Sequence, residues 1–254
     1  MIYTYKNIWF ITFPIMMSIL IEQLINITDT LFLGHVGNIE LGASTLAGIW
    51  FLAIYMLGFG FSLGLQVMIA HCNGEQRYSE TGKTFFQGLS FLFSLAAVLC
   101  LLSKTLSPIL LKHLIISNDV YNAVVRYLDS RIWGLFFTFP SLALRSFLVG
   151  ITQTKALNVA AFTAVLVNIP MNWLLIFGFG MGISGAAIAS AFAELCSLIV
   201  LTTYIFRHIN RRLYGLHWSI DITILKEVFS ISVWSMLQFF MSVAIWFLFF
   251  LAIE

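Results

Sequence analysis

Residues 14 to 37, PIMMSILIEQLINITDTLFLGHVG, are apolar enough to sit in lipid and yet carry two carboxylates, Glu22 and Asp29. A bare carboxylate in hydrocarbon is unfavourable, so both side chains must turn towards a protein interior or a watery cavity. An isolated helix cannot meet that demand, whereas a bundle of spanning helices can. The two carboxylates are seven residues apart, two helical turns, and share one face, with Asn26 between them on the same side. The plain reading is a polar patch that glues helices together. The sharper one is an ion or proton site.

The rest of the chain has the same character. Of its 254 residues, 60% are hydrophobic and only 9% charged, against about 25% charged in soluble domains. A span needs roughly 20 mostly apolar residues. Seven windows qualify: Asn7 to Leu33, Ala43 to His71, Thr84 to Ser103, Asp119 to Val149, Leu157 to Phe177, Ile183 to Phe206 and Ile224 to Ala252. The expected fold class is an all-α integral membrane protein, a polytopic helical bundle. Pro108 and the apolar residues after it suggest a short interfacial helix over Ile109 to Ile116, and Asp119 reads as an N-cap. Pro14, Pro140 and Pro170 mark expected kinks. Gly60 and Gly64 give the second span a small-xxx-small face for close packing. Cys72, Cys100 and Cys196 have neither disulfide nor zinc spacing, so no cofactor is implied, and no metal beyond a sodium ion. The first span lacks a small-residue cleavage pattern and reads as a retained helix rather than a signal peptide.

Lysine and arginine set the orientation. With a cytoplasmic amino terminus, the inner segments hold Lys6, Arg77, Lys83, Lys155, Arg207, Arg211, Arg212 and Lys226, and the outer ones Lys104, Lys112, Arg126 and Arg131. Eight against four favours that arrangement, in the cell inner (plasma) membrane. Trp9, Tyr204, Tyr214 and Trp218 fit an inner aromatic belt. Basic residues gathered in loops are an orientation signal and not a nucleic-acid footprint.

The topology places the buried polar residues in depth. Asp29 and Asn172 each lie about five residues, about 8 Å, from the outer ends of their spans. Asn168 and Asn172 are one turn apart on one face, with Pro170 between them freeing the carbonyl of Leu166. A carboxylate, two amide oxygens and a freed carbonyl are the hard oxygen ligands that suit a small cation. Glu22 and Glu194 sit nearer mid-membrane, and Gly182, Ala186, Ser190 and Glu194 form a stripe along the sixth span. Arg145, near the inner end of the fourth, is expected to snorkel or to pair with a carboxylate.

Several of these residues carry a family resemblance. Pro14, the Asp29-Thr30 pair, Gly34-x-x-Gly37 and Leu41-Gly42-Ala43 resemble the first helix and following turn of multidrug and toxic compound extrusion (MATE) transporters. Arg145 with Phe147-Leu148-x-Gly150 and Thr152-Gln153-Thr154 looks like that family's fourth helix. Asn168-x-Pro170-x-Asn172 and Gly182-x-x-Gly185-Ala186-Ala187-x-Ala189 look like its fifth and sixth. The resemblance spans about 200 residues in order. It implies a six-helix lobe over residues 1–207, an inter-lobe loop over 208–223 on the cytoplasmic side, and the start of a second lobe over 224–254. It also implies antiport of cationic, amphipathic drugs against sodium or protons. Asp29 matches the family's first-helix aspartate, and Asn168 and Asn172 its fifth-helix asparagines, the cation site. Glu22 stands where many members have glutamine. Gln238, Met241 and Ser242 lie about where some members place a glutamate, and Glu254 comes too late to replace it. Implied partners are a small cationic drug, membrane lipids, and either the missing second lobe or a second copy.

Other readings fit parts of the chain. A flippase of the same broad fold would line its cavity with basic residues, and Arg145 is the candidate. Gly182-Ile183-Ser184-Gly185 matches the serine motif of rhomboid-type proteases. However, all five histidines lie in loops or at helix ends, so an enzyme is not expected. A non-transporting scaffold would use the seventh span to bind another protein, through the face of Trp234, Gln238, Ser242 and Trp246.

Overall fold

The computed structural model describes residues 5–217 and 221–252, so Trp218 and Glu254 lie outside the described residues. Those residues form eight α-helices: α1 (Tyr5–Gly34), α2 (Asn38–Gly74), α3 (Tyr78–Leu114), α4 (Asn118–Arg131), α5 (Leu135–Gly150), α6 (Lys155–Trp173), α7 (Gly182–His208) and α8 (Ile222–Leu251). A 3-10 turn, Ile132–Gly134, joins α4 and α5 into a single 33-residue span, so seven segments are long and apolar enough to cross a membrane.

The helices run past the expected boundaries. α2 starts at Asn38 rather than Ala43, and α3 at Tyr78 rather than Thr84. The turn between them shrinks to Glu75–Arg77, where Gln76 takes φ 62° and Arg77 bridges Glu75 and Glu80. The expected interfacial helix over Ile109 to Ile116 does not exist as a separate element, because α3 continues through Pro108 to Leu114. Tertiary contacts outweigh the proline there. Trp50 Nε1 donates to Ser107 Oγ at 2.9 Å, the Tyr121 hydroxyl donates to the Pro108 carbonyl at 3.2 Å, and Leu111 is buried. Ser117, not Asp119, caps α4, its hydroxyl accepting from the Val120 amide. The irregular turn in the fourth span lies at Ile132–Gly134, well before Pro140, and α6 gives way to a π-helical turn, Leu174–Gly178, after Pro170.

α2 is the hub of the bundle, packing on α3, α4, α5 and α8. Phe61, Leu65 and Ile69 of α2 meet Phe139, Phe147 and Leu148 of α5 in one apolar core. The glycine face of α2 receives α8. A Cβ on Gly60 would stand 2.5 Å from the Met236 Cα, and one on Gly64 would strike the Ser232 hydroxyl. Ser232 and Val228 are fully buried at that crossing. The opposite face of α8, with Trp234, Gln238, Ser242 and Trp246, is exposed.

The loop between α7 and α8 docks on the α2–α3 turn through Tyr214. Its ring meets Tyr78 and Phe147 edge-on, and its hydroxyl donates to Asn73 Oδ1 at 3.3 Å. Tyr214 is therefore a packing residue of the loop. Burial, reinforced by Tyr78, pushes its phenol above the ordinary tyrosine value, which keeps it a donor.

Candidate functional site

α1 lies against α6, with smaller contacts to α2 and α7, and Asp29 is where it plugs into the lobe. Asp29 Oδ1 accepts from Asn172 Nδ2 at 2.6 Å and from Asn168 Nδ2 at 3.1 Å, and Oδ2 accepts from the Ser190 hydroxyl at 2.5 Å. Asn172 Nδ2 also reaches Asn168 Oδ1 at 3.0 Å. Both asparagines are fully buried and Ser190 nearly so. Asn172 Oδ1 is buried without a hydrogen-bond partner among the described residues. Three helices thus converge on one carboxylate: α1 brings Asp29, α6 the two asparagines one turn apart, and α7 Ser190.

The chemistry of this set differs from the expected one. The amide groups present N–H and not oxygen to Asp29, which satisfies an empty carboxylate. Each partner is two-sided, however: an amide turned about its last torsion, or a hydroxyl turned about its C–O bond, offers oxygen instead. The orphaned Asn172 oxygen beside Asp29 fits a small hard cation, which a site of pure donors would not. The side chains of Leu166 and Pro170 are exposed on the face of α6 opposite the asparagines, two residues and about 200° away.

The other polar candidates lie elsewhere. Glu22 shares a face with Asp29, as its spacing requires, but its partner is Arg145 of α5, which donates to Glu22 Oε1. Asn26 is exposed and bonds only locally, to Gln23 Oε1 at 2.9 Å, so it does not join the cluster. Glu194 points into the bundle and is held by Arg131 and Thr138. Arg131, expected in an outer segment, therefore lies inside the fourth span with its guanidinium on Glu194. One residue of the cluster and one ion-pair partner outside it escaped the sequence reading. Ser190 was visible on the α7 stripe, but as a small residue for packing and not as a donor. Arg131 is followed by the apolar run 132–137, and that signal places it within the membrane.

Of the carboxylates deep in the spans, Glu22 and Glu194 each face an arginine, whereas Asp29 has no cationic group at ion-pair distance among the described residues, and Arg131, already paired with Glu194, acts on it only from farther away. The Ser184 hydroxyl has the Arg126 carbonyl at 3.5 Å as its partner.

Comparison with known proteins gives the same lineage throughout. The family model MatE matches residues 14–174. The chain is 27% identical over 224 residues to the “Probable multidrug resistance protein NorM” of Idiomarina loihiensis, covering 84% of this chain and 48% of that protein. It is 26% identical over 197 residues to the “Multidrug resistance protein NorM” of Vibrio cholerae, covering 76% and 43%. Among solved structures, an outward-facing MATE family transporter of the MOP superfamily superposes with TM-score 0.86 at 21% identity, over 95% of this chain and 54% of the other. A MOP superfamily transporter from Pyrococcus furiosus gives 0.84 at 20%, over 95% and 54%. At those identities the structures establish the fold alone. The chain spans about half the length of the curated relatives it matches.

Proposed function

Because this chain belongs to the MatE family, with the model matching residues 14–174, we propose that it forms one lobe of a cation-coupled exporter of cationic, amphipathic compounds. The coupling site is Asp29 with Asn168, Asn172 and Ser190. One observation carries this reading. Among the described residues Asp29 has no cationic group at ion-pair distance, and Arg131, which acts on it from farther away, is already paired with Glu194, so a sodium ion or a proton is the counter-charge that fits beside it. A bound cation would supply a counter-charge at the ion-pair distance where none of the described residues places one. The residues of the chain do the rest: α6 and α7 exclude water, the asparagines and Ser190 hold the carboxylate, and their rotatable groups re-aim when its charge is met.

Both deep arginines support export of cations over transfer of an anionic lipid-linked precursor. Arg145 is neutralised by Glu22 and Arg131 by Glu194, so neither leaves free positive charge for a phosphate. Alternating access needs two lobes rocking against each other. The second lobe would come from further residues of the same protein or from a second copy, so this chain alone is expected not to export a fluorescent cationic dye from proteoliposomes. The charge pattern supports a cytoplasmic amino terminus, and an Arg211→Cys variant should then resist an impermeant maleimide in intact cells. The deciding measurement for the site is thermal stability of the purified chain against sodium concentration and pH. Sodium coupling raises the melting temperature with sodium, proton coupling makes it follow pH alone, and Asp29→Asn abolishes either response. A response that survives Asp29→Asn overturns the site.

A further inference from the structure

The Arg131–Glu194 pair is built with more care than a helix glue requires. Arg131 ends α4 at the 3-10 turn. Its guanidinium grips Glu194 with both arms, Nη1 to Oε2 at 3.0 Å and Nη2 to Oε1 at 2.5 Å, and stacks over the Phe51 ring at 4.2 Å. The Thr138 hydroxyl lies 2.5 Å from Glu194 Oε2 and 2.9 Å from the Gly134 carbonyl, so its one proton serves one of them at a time. Gly134 makes the slot, since a Cβ there would stand 2.7 Å from Arg131 Nη1 and 2.9 Å from Glu194 Oε2. The two charged side chains are only 11% and 21% exposed.

On α7, Glu194 follows Ser190 by four residues, about 6 Å along the axis and on the same face. Ser190 is the donor to Asp29 Oδ2. The rest of that face, Ala186, Ala187, Ala189 and Ala193, is buried and nearly flat. Small side chains let helices approach closely but give few knobs to stop one sliding along another. A bidentate ion pair, by contrast, fixes both position and angle.

We propose that Arg131, Glu194 and Thr138 are positioning residues for the cation site: they set the axial position of α7 so that the Ser190 hydroxyl meets Asp29. Glu194 is accordingly not a second cation ligand, because both its oxygens are already engaged. The inference rests on the reading of Asp29 as the coupling-cation site and adds to it a link from the break between α4 and α5 to that site.

The test is a sodium titration of thermal stability on the purified full chain, at constant ionic strength, for Glu194→Gln, Ser190→Ala and the double variant. Glu194→Gln should weaken apparent sodium affinity about tenfold, as loss of a supporting contact commonly does. In the Ser190→Ala background the same change should add almost nothing, because it acts through Ser190. Multiplicative effects would overturn the proposal, and sodium affinity unchanged in Glu194→Gln would do the same. The conservative Arg131→Lys variant, which keeps the charge without the fork, should recover part of the loss that Arg131→Gln causes. A second measurement does not depend on the ion. With the three native cysteines replaced by serine, an Asp29→Cys/Ser190→Cys pair should cross-link readily, and adding Glu194→Gln should slow that cross-linking severalfold. Slowed cross-linking in a chain whose stability ignores sodium upholds the positioning role and shifts the fault to the sodium reading. Cross-linking that stays fast with Glu194→Gln sinks the positioning role, whatever the ion does.

Discussion

α1 and α8 are the two spans least enclosed by the lobe, with 6% and 17% of their apolar windows buried, and they are attached by opposite means. α1 is held at two polar points two turns apart, Glu22 to Arg145 and Asp29 to the asparagines and Ser190. α8 is held by shape, its backbone seated on Gly60 and Gly64 with Ser232 buried between. A polar tether changes strength when a charge is met or removed, whereas a packed glycine face is indifferent to ions. On the coupling-site proposal, α1 carries the responsive attachment and α8 the permanent one.

The largest expected effect removes that responsiveness. Asp29→Asn keeps the size of the side chain and deletes its charge, so α1 should still insert while all cation-dependent stabilisation disappears from the melting curves. Next comes the seat of α8. Gly60→Leu forces a side chain into the Met236 backbone and should destabilise the chain by about 3 kcal/mol, the upper end for overpacking. Limited proteolysis should then cut the 209–221 loop faster, with the sodium response of the remaining lobe retained. Should the sodium response fall with it, the two attachments are not independent.

Glu22→Gln is smaller. It leaves Arg145 without its partner, but the pair is 20% and 29% exposed, so about 1–2 kcal/mol is expected, below the full cost of breaking a buried pair. Replacing both members by leucine should recover most of that loss, because two apolar groups do not need each other's charge. The melting temperatures of the single and double variants decide this. The smallest effect is on the outer face of α8. Gln238→Ala is exposed and should stay within about 0.5 kcal/mol in the purified chain. A larger loss would mean that this face is covered in solution, and size-exclusion with light scattering would then have to find a dimer.

Much of this molecule was legible in its residues. Hydropathy over windows of about 20 marked all seven spans. The depth of Asp29, Asn168 and Asn172 brought them to one level before any packing was known, and the structure joins them. Gly60 and Gly64 announced a close crossing without saying which helix would come. Errors fell where a local signal met a long-range contact. Pro108 reads as a helix stop, yet Trp50 and Tyr121, far away in the chain, hold α3 straight through it.

The sequence by itself determined which segments are long apolar helices able to cross a membrane, because that property depends on neighbours within a few turns. It could not determine partners. Glu22, Asp29 and Glu194 read alike as carboxylates within spans, and only the rotation and axial offset of packed helices decide that two of them pair with an arginine and one does not. Arg131 and Glu194 are 63 residues apart, and no periodicity links them. Tertiary structure made Asp29 the one of the three without an arginine at ion-pair distance, and the candidate site follows from that difference in surroundings.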